Sequence, residues 1–128
     1  MMVYFTMDEL CASETAKRLQ IDNKPPREVV KNLERLVERV LDPARLWLGK
    51  PIIVTSGYRC EVLNNAVGGV ANSHHCLGMA ADIKAANVVT TRQLFNLIRD
   101  YLDYDQLIWE QGGRWIHVSY VNRRQVIT

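Results

Sequence analysis

The chain contains three histidines, and their placement is what first suggests chemistry. His74 and His75 are adjacent, and His117 lies near the far end. A lone histidine is usually a satisfied core or surface residue, but these have telling neighbours. The stretch Ser73-His-His-Cys-Leu-Gly-Met-Ala-Ala-Asp82 leads from the histidine pair into a carboxylate, with Gly78 and small alanines between. Zinc accepts imidazole nitrogen and carboxylate oxygen, and its catalytic sites use three protein ligands with a fourth position open. His75 and Asp82, with His117 as the distant third, would make such a set. The cysteines compete poorly for this role. Cys11, Cys60 and Cys76 are spaced 49 and 16 apart, with no paired Cys-x-x-Cys, so a cysteine-rich metal cluster is disfavoured. Cys60 and Cys76 flank the histidine motif and are candidates to pair under oxidising conditions. Cys11 reads as a small core residue.

Several segments together resemble the M15 family of zinc peptidases, the D-Ala-D-Ala carboxypeptidases and L-Ala-D-Glu endopeptidases that act on bacterial peptidoglycan. The likeness is to the small branch found in bacteria and phages. It is carried by Thr55-Ser-Gly-Tyr-Arg59, Leu63-Asn64 with Val67-Gly-Gly69, Ser73-x-His75-x-x-Gly78-x-Ala80-x-Asp82-Ile83, and Trp115-Ile-His117-Val-Ser119. It extends to Tyr4-Phe-Thr-Met-Asp-Glu-Leu10 and Asp22-Asn23. The resemblance implies one Zn2+ held by His75, Asp82 and His117, with a metal-bound water as nucleophile. His74 is the neighbour that the pattern leaves free, as a loop or substrate-facing residue. Arg59 matches the family's arginine, implied to hold a substrate carbonyl or carboxylate or to stabilise the oxyanion, a task suited to a planar guanidinium. Ser73 either hydrogen-bonds substrate or orients its loop. Tyr58 is a candidate substrate contact, as a cleft aromatic or a core residue.

The elements that must position these residues can be sketched from periodicity. Thr6-Met-Asp-Glu9 is a capping box opening a short helix from Met7 towards Arg18 or Leu19. Pro26 suits a first helical turn. Val29, Val30, Leu33, Leu36, Val37, Val40 and Leu41 then recur at helical spacing. Asp42-Pro43 should bend that helix, and Gly49 should end it. Pro51–Thr55 and Met79–Lys84 read as strands. Residues 56–73 read as a long ordered loop with one helical turn near Glu61–Asn65, and loops of that length tend to be functional. Thr90 opens another helix, with Leu94, Phe95, Leu97, Ile98 and Leu102 on its buried side. Gln106–Glu110 and Arg114–Tyr120 flank Gly112-Gly113 as a β-hairpin. This is an α+β pattern: a small antiparallel sheet with a C-terminal hairpin packed against N-terminal and middle helices, the zinc site on the sheet.

The hairpin register nominates a general base. Some branches of the family carry an acid three residues before the last histidine, where this chain has Arg114, which cannot accept a proton. A two-residue turn at Gly112-Gly113 pairs Glu110 with Trp115 and Ile108 with His117. Alternation then places Ile108, Glu110, Trp115 and His117 on one face, with Trp109 and Ile116 on the other. Glu110 becomes a diagonal neighbour of His117 and the candidate base. A slip of one residue would remove it from that face.

Composition limits the alternatives. With 128 residues, 48% hydrophobic and 23% charged, the expectation is one peptidase-like domain over 1–128. Sixteen Lys and Arg against fourteen Asp and Glu leave +2, with no basic stripe for nucleic acid. The window Val62–Ala81 has 20 residues without formal charge, yet its Asn, Ser, His and Gly content argues against a membrane span. Asp8 and Glu9 interrupt the N-terminus too early for a signal-peptide core. The expected protein is therefore a monomer made in the cytoplasm, reaching the cell wall after lysis, by tail delivery or by non-classical export. Its expected activity is zinc-dependent hydrolysis of a peptide bond in peptidoglycan stem peptides or cross-links, as a carboxypeptidase or an endopeptidase. The competing expectation is a zinc-containing cell-wall-binding or phage-tail module without hydrolysis.

Overall fold

The computed structural model describes residues 2–121. Its frame is α+β. Four strands, β1 (Ile53–Ser56), β2 (Ala80–Lys84), β3 (Gln106–Glu110) and β4 (Trp115–Ser119), form a sheet in the order β1-β2-β4-β3, every neighbouring pair antiparallel. Alternation sorts the strand residues to two faces. Ala81 and Ile83 of β2, with Ile116 and Val118 of β4, are buried in the hydrophobic core. Asp82 and His117 point the other way, so the sheet separates core from site.

The core face is covered by two helical layers. The apolar stripe read from Val29 to Leu41 forms α3 (Arg27–Leu36), a wider π-helical turn over Val37–Leu41, and α4 (Asp42–Leu48) without a break between them. The irregularity expected at Asp42-Pro43 thus appears as the turn just before it. Proline lacks an N–H and its ring crowds the carbonyl four residues back, and a widened turn accommodates that without ending the helix. Gly49, left-handed at φ 68°, ends α4 as expected. The second layer, α6 (Val88–Tyr101), starts two residues earlier than expected because Asn87, not Thr90, caps it, accepting from the Thr90 N–H at 2.8 Å. Leu94 and Ile98 of α6 enter the core, while Phe95 meets Trp109 edge-on at 5.6 Å between ring centres.

Two further expectations change. The single N-terminal helix is two, α1 (Met7–Cys11) and α2 (Glu14–Leu19). Ser13 begins a new cap by accepting from the Ala16 N–H, and that local bond outcompetes helical continuity. The first strand runs over Ile53–Ser56 rather than from Pro51, and the helical turn near Glu61 is the full α5 (Glu61–Ala66).

Asp42, noted in the sequence only as the residue before a proline, anchors the N-terminal segment. Its buried carboxylate accepts from the Val3 and Tyr4 N–H groups at 2.8 and 3.0 Å. Asp42→Ala is expected to cost about 2–3 kcal/mol, since it leaves charge-assisted bonds unmade, and to lower the denaturant midpoint accordingly. Among the described residues no helix is long and apolar enough to cross a membrane.

Candidate metal centre

The site is assembled on the outer face of the sheet from a single cross-strand row. Ser56 pairs with Asp82, Asp82 with His117, and His117 with Ile108. Directly opposed residues share a face, so one line crosses all four strands with Asp82 and His117 at its centre. The register of β1 is decided by a bulge. Val54 pairs with Ile83, but Ser56, not Thr55, comes opposite Asp82. The displaced Thr55 hydroxyl donates to the Asp82 carbonyl at 3.1 Å. The hairpin follows the expected register, Glu110 with Trp115 and Ile108 with His117. Its connection is a tight turn between Glu110 and Trp115 rather than a simple two-residue loop, with Gln111, Gly112 and Gly113 all at positive φ.

His75 comes from above the sheet. It lies in a short 3-10 turn, His74–Leu77, whose start is capped by the buried Ser73, its hydroxyl accepting from the His75 N–H at 3.1 Å. Left-handed Gly78, φ 73°, ends the turn, and a Cβ there would meet Val29. The imidazole Nδ1 lies 2.7 Å from the Gly57 carbonyl. A carbonyl only accepts, so Nδ1 donates to it and Nε2 is the nitrogen turned towards Asp82. Gly57 can approach because it has no side chain; a Cβ there would strike the Leu10 carbonyl, which already accepts from the Tyr58 N–H at 2.8 Å.

The ligand atoms converge. Asp82 Oδ1 lies 3.4 Å from His75 Nε2 and 3.1 Å from His117 Nδ1, and the donors of all three residues fall within 4.8 Å of one another. Ligands about 2.0–2.1 Å from a tetrahedral zinc lie roughly 3.3 Å apart, so both separations match a tetrahedral edge. Two imidazoles and one carboxylate, one imidazole oriented by a backbone carbonyl, fit a zinc ion with an open fourth position. Burial by itself would raise the Asp82 carboxyl, but hydrogen bonds from His117 and His75 outweigh it and hold it down at about 2.

A cleft of about 350 Å³ opens beside His117, with Val70, Asn72, Ser73 and His74 on one wall and Gln106, Ile108 and Glu110 on the other. Glu110, Ser73 and His74 therefore share a cleft with a ligand. Arg59 does not line it. Its backbone N–H donates to the His75 carbonyl at 3.2 Å, and its guanidinium reaches Ser56 Oγ at 3.5 Å. It lines a second cleft of about 330 Å³ at the β1 edge, with Ser13, Glu14, Thr55 and Ser56. The Arg59 Nε is buried there with no protein partner. Tyr58 belongs mainly to the core at 6% exposure and reaches only the wall of that second cleft. Trp109 also faces the core, stacked under the Arg92 guanidinium at 3.9 Å.

All three thiols are free. Burial pushes Cys11 up to about 11, with Asp8 adding to it, and pushes Cys76 up against the opposing pull of Arg59. Both remain protonated near neutral pH and are poor metal ligands.

Residue-type reasoning missed the backbone clamps. Asn23 donates to the Cys11 and Tyr58 carbonyls, both at 2.9 Å, and accepts from the Cys60 N–H at 2.8 Å, holding both flanks of Arg59. Asn64 likewise ties the long loop, donating to the Val70 carbonyl at 2.9 Å. An isolated asparagine in a polar stretch carries no periodicity by which to find it. Asn23→Ala is expected to cost about 2 kcal/mol in a urea titration, because three partly buried backbone groups lose their partner.

No curated protein matches the chain. The family model for Peptidase M15 does, over residues 3–119. The His/Asp/His group lies inside that match, and the chain belongs to the M15 peptidase family.

Proposed function

We propose that this protein is a zinc peptidase that hydrolyses a peptide bond in bacterial peptidoglycan stem peptides or cross-links. The observation that carries the reading is the tetrahedral-edge spacing of Asp82 Oδ1 from two imidazoles in an M15 chain, beside a cleft that also holds Glu110. His75, Asp82 and His117 would hold the ion. Zinc in such a site supplies Lewis acidity, lowering the pKa of water to about 7 and polarising a carbonyl. Glu110 takes the proton of the attacking water and returns it to the leaving amine. The Arg59 guanidinium, with a buried N–H unpaired, stabilises negative charge on the carbonyl side. Asn72, Ser73, His74 and Gln106 present polar groups to a peptide backbone.

One observation favours a second reading, a zinc-containing wall-binding module without turnover. Arg114 stands three residues before His117, where some relatives carry an acid. Metal analysis, with digestion of purified peptidoglycan and mass spectrometry of released fragments, separates the two. Zinc with new peptide ends supports hydrolysis; zinc with intact peptidoglycan supports the module; absence of bound zinc overturns both.

A further inference from the structure

A third cavity, of about 370 Å³, lies where β2 leaves the sheet and β4 enters it. Lys84, Arg114 and Trp115 line it, with Thr55, Asn87 and Gly113 among the rest, and no Asp or Glu is among its lining residues. Neither Lys84 nor Arg114 has a carboxylate partner among the described residues. Two cations and an indole around one cavity suit an anionic group attached to a small apolar body.

Its position relates it to the metal centre. Lys84 follows Asp82 by two residues and Trp115 precedes His117 by two, so both project from the metal-bearing face, roughly 7 Å further along their strands. Glu110 pairs with Trp115 and stands in the same row. A fragment that takes its proton from Glu110 has the Trp115 wall of this cavity beside it in the row, and Thr55 is the residue that the cavity shares with the Arg59 cleft.

We propose that this cavity is a carboxylate-binding subsite for the amine-side portion of the substrate. Lys84 and Arg114 hold the carboxylate, and Trp115 packs against the residue bearing it. The direction rests on the proposed role of Glu110. In this chain Arg114 then contributes charge for binding at a position where an acid would contribute proton transfer.

The test uses the zinc-loaded full chain and two stem peptides that differ only at the C-terminus, one a free carboxylate and the other a primary amide. The wild type is expected to prefer the acid by about tenfold or more in kcat/KM, the size of one charge-assisted contact. In Lys84→Gln/Arg114→Gln the preference should collapse to within about twofold, mainly through KM. Equal rates on the two peptides in the wild type, or a preference retained in the double variant, overturn the subsite and leave the peptidase reading intact. A direct measurement stands apart from turnover: the Trp115 indole N–H resonance is followed during titration with N-acetyl-D-alanine or its amide. A saturable shift with the acid alone supports the subsite even if neither peptide is cleaved, an outcome that would count against hydrolysis only. Lack of a shift, or equal shifts with both, overturns it.

Discussion

Glu110→Gln is expected to lower turnover of a cleaved peptide by about 10²- to 10⁴-fold while metal content stays at the wild-type level. Glutamine keeps the size and a hydrogen-bonding oxygen but cannot accept a proton at neutral pH. The prediction depends on the hairpin register. Glu110 pairs with Trp115 and Ile108 with His117, placing Glu110 beside a metal-binding candidate in one cleft. Its neighbours on the strand, Trp109 and Leu107, pack against the core. A one-residue shift would therefore be rejected by the core before catalysis was affected. Steady-state kinetics and metal analysis on the same preparation check the result. Unchanged turnover would place the base elsewhere, and loss of metal would make Glu110 a ligand.

Asp82→Asn is expected to weaken zinc binding by more than about a hundredfold, since even loss of an outer-shell partner costs 10- to 100-fold. The change is nearly isosteric, so competition with a chelator reads the loss of one anionic ligand rather than a cavity. Asp82 is also the residue on which both imidazoles converge, at 3.4 and 3.1 Å from one oxygen. In the metal-free protein this has an acid signature. The carboxyl is held at about 2 against an ordinary 3.8, so its ionised form stabilises the fold above pH 3.8. That contribution is lost as pH falls towards 2. Thermal melts of metal-free wild type and Asp82→Asn should accordingly differ most above pH 3.8 and converge below it. Parallel curves across that interval would mean that Asp82 does not contribute to stability through its charge.

The parts of this molecule that were legible in the sequence are those set by side-chain pattern. The stripe from Val29 to Leu41 could only be a helix facing a core, and Gly112-Gly113 between alternating strands set the register that places Glu110. His75, Asp82 and His117 were nominated by residue type and by likeness to a family, and the fold brings their donor atoms together. What was illegible is decided by the backbone in its tertiary setting. Nothing in Ile53-Val-Thr-Ser56 announces a bulge, yet the bulge brings Ser56 opposite Asp82. The Gly57 carbonyl that orients His75 has no residue-type signature, because every residue has a carbonyl. The break at Ser13 and the wide turn before Pro43 are contests between local bonds and helical continuity, and short-range preference alone does not decide them. Arg59 was assigned by resemblance to a substrate carbonyl, a carboxylate or the oxyanion, and residue type alone gives no position for it. It lines the cleft at the β1 edge, because Asn23 and the His75 carbonyl hold its backbone on that side.

The strand order has an evolutionary consequence. Asp82 and His117 stand on the two interior strands, each flanked on both sides, whereas Ser56 and Glu110 stand on the edges. Mutations at the edges disturb one neighbour, and mutations in the middle disturb two. A lineage can therefore exchange Glu110, or remodel the hairpin around it, while the interior pair keeps its geometry. On this architecture the edge carboxylate is easier to exchange than the interior His/Asp pair, and one scaffold can keep that pair while the hairpin beside it is remodelled.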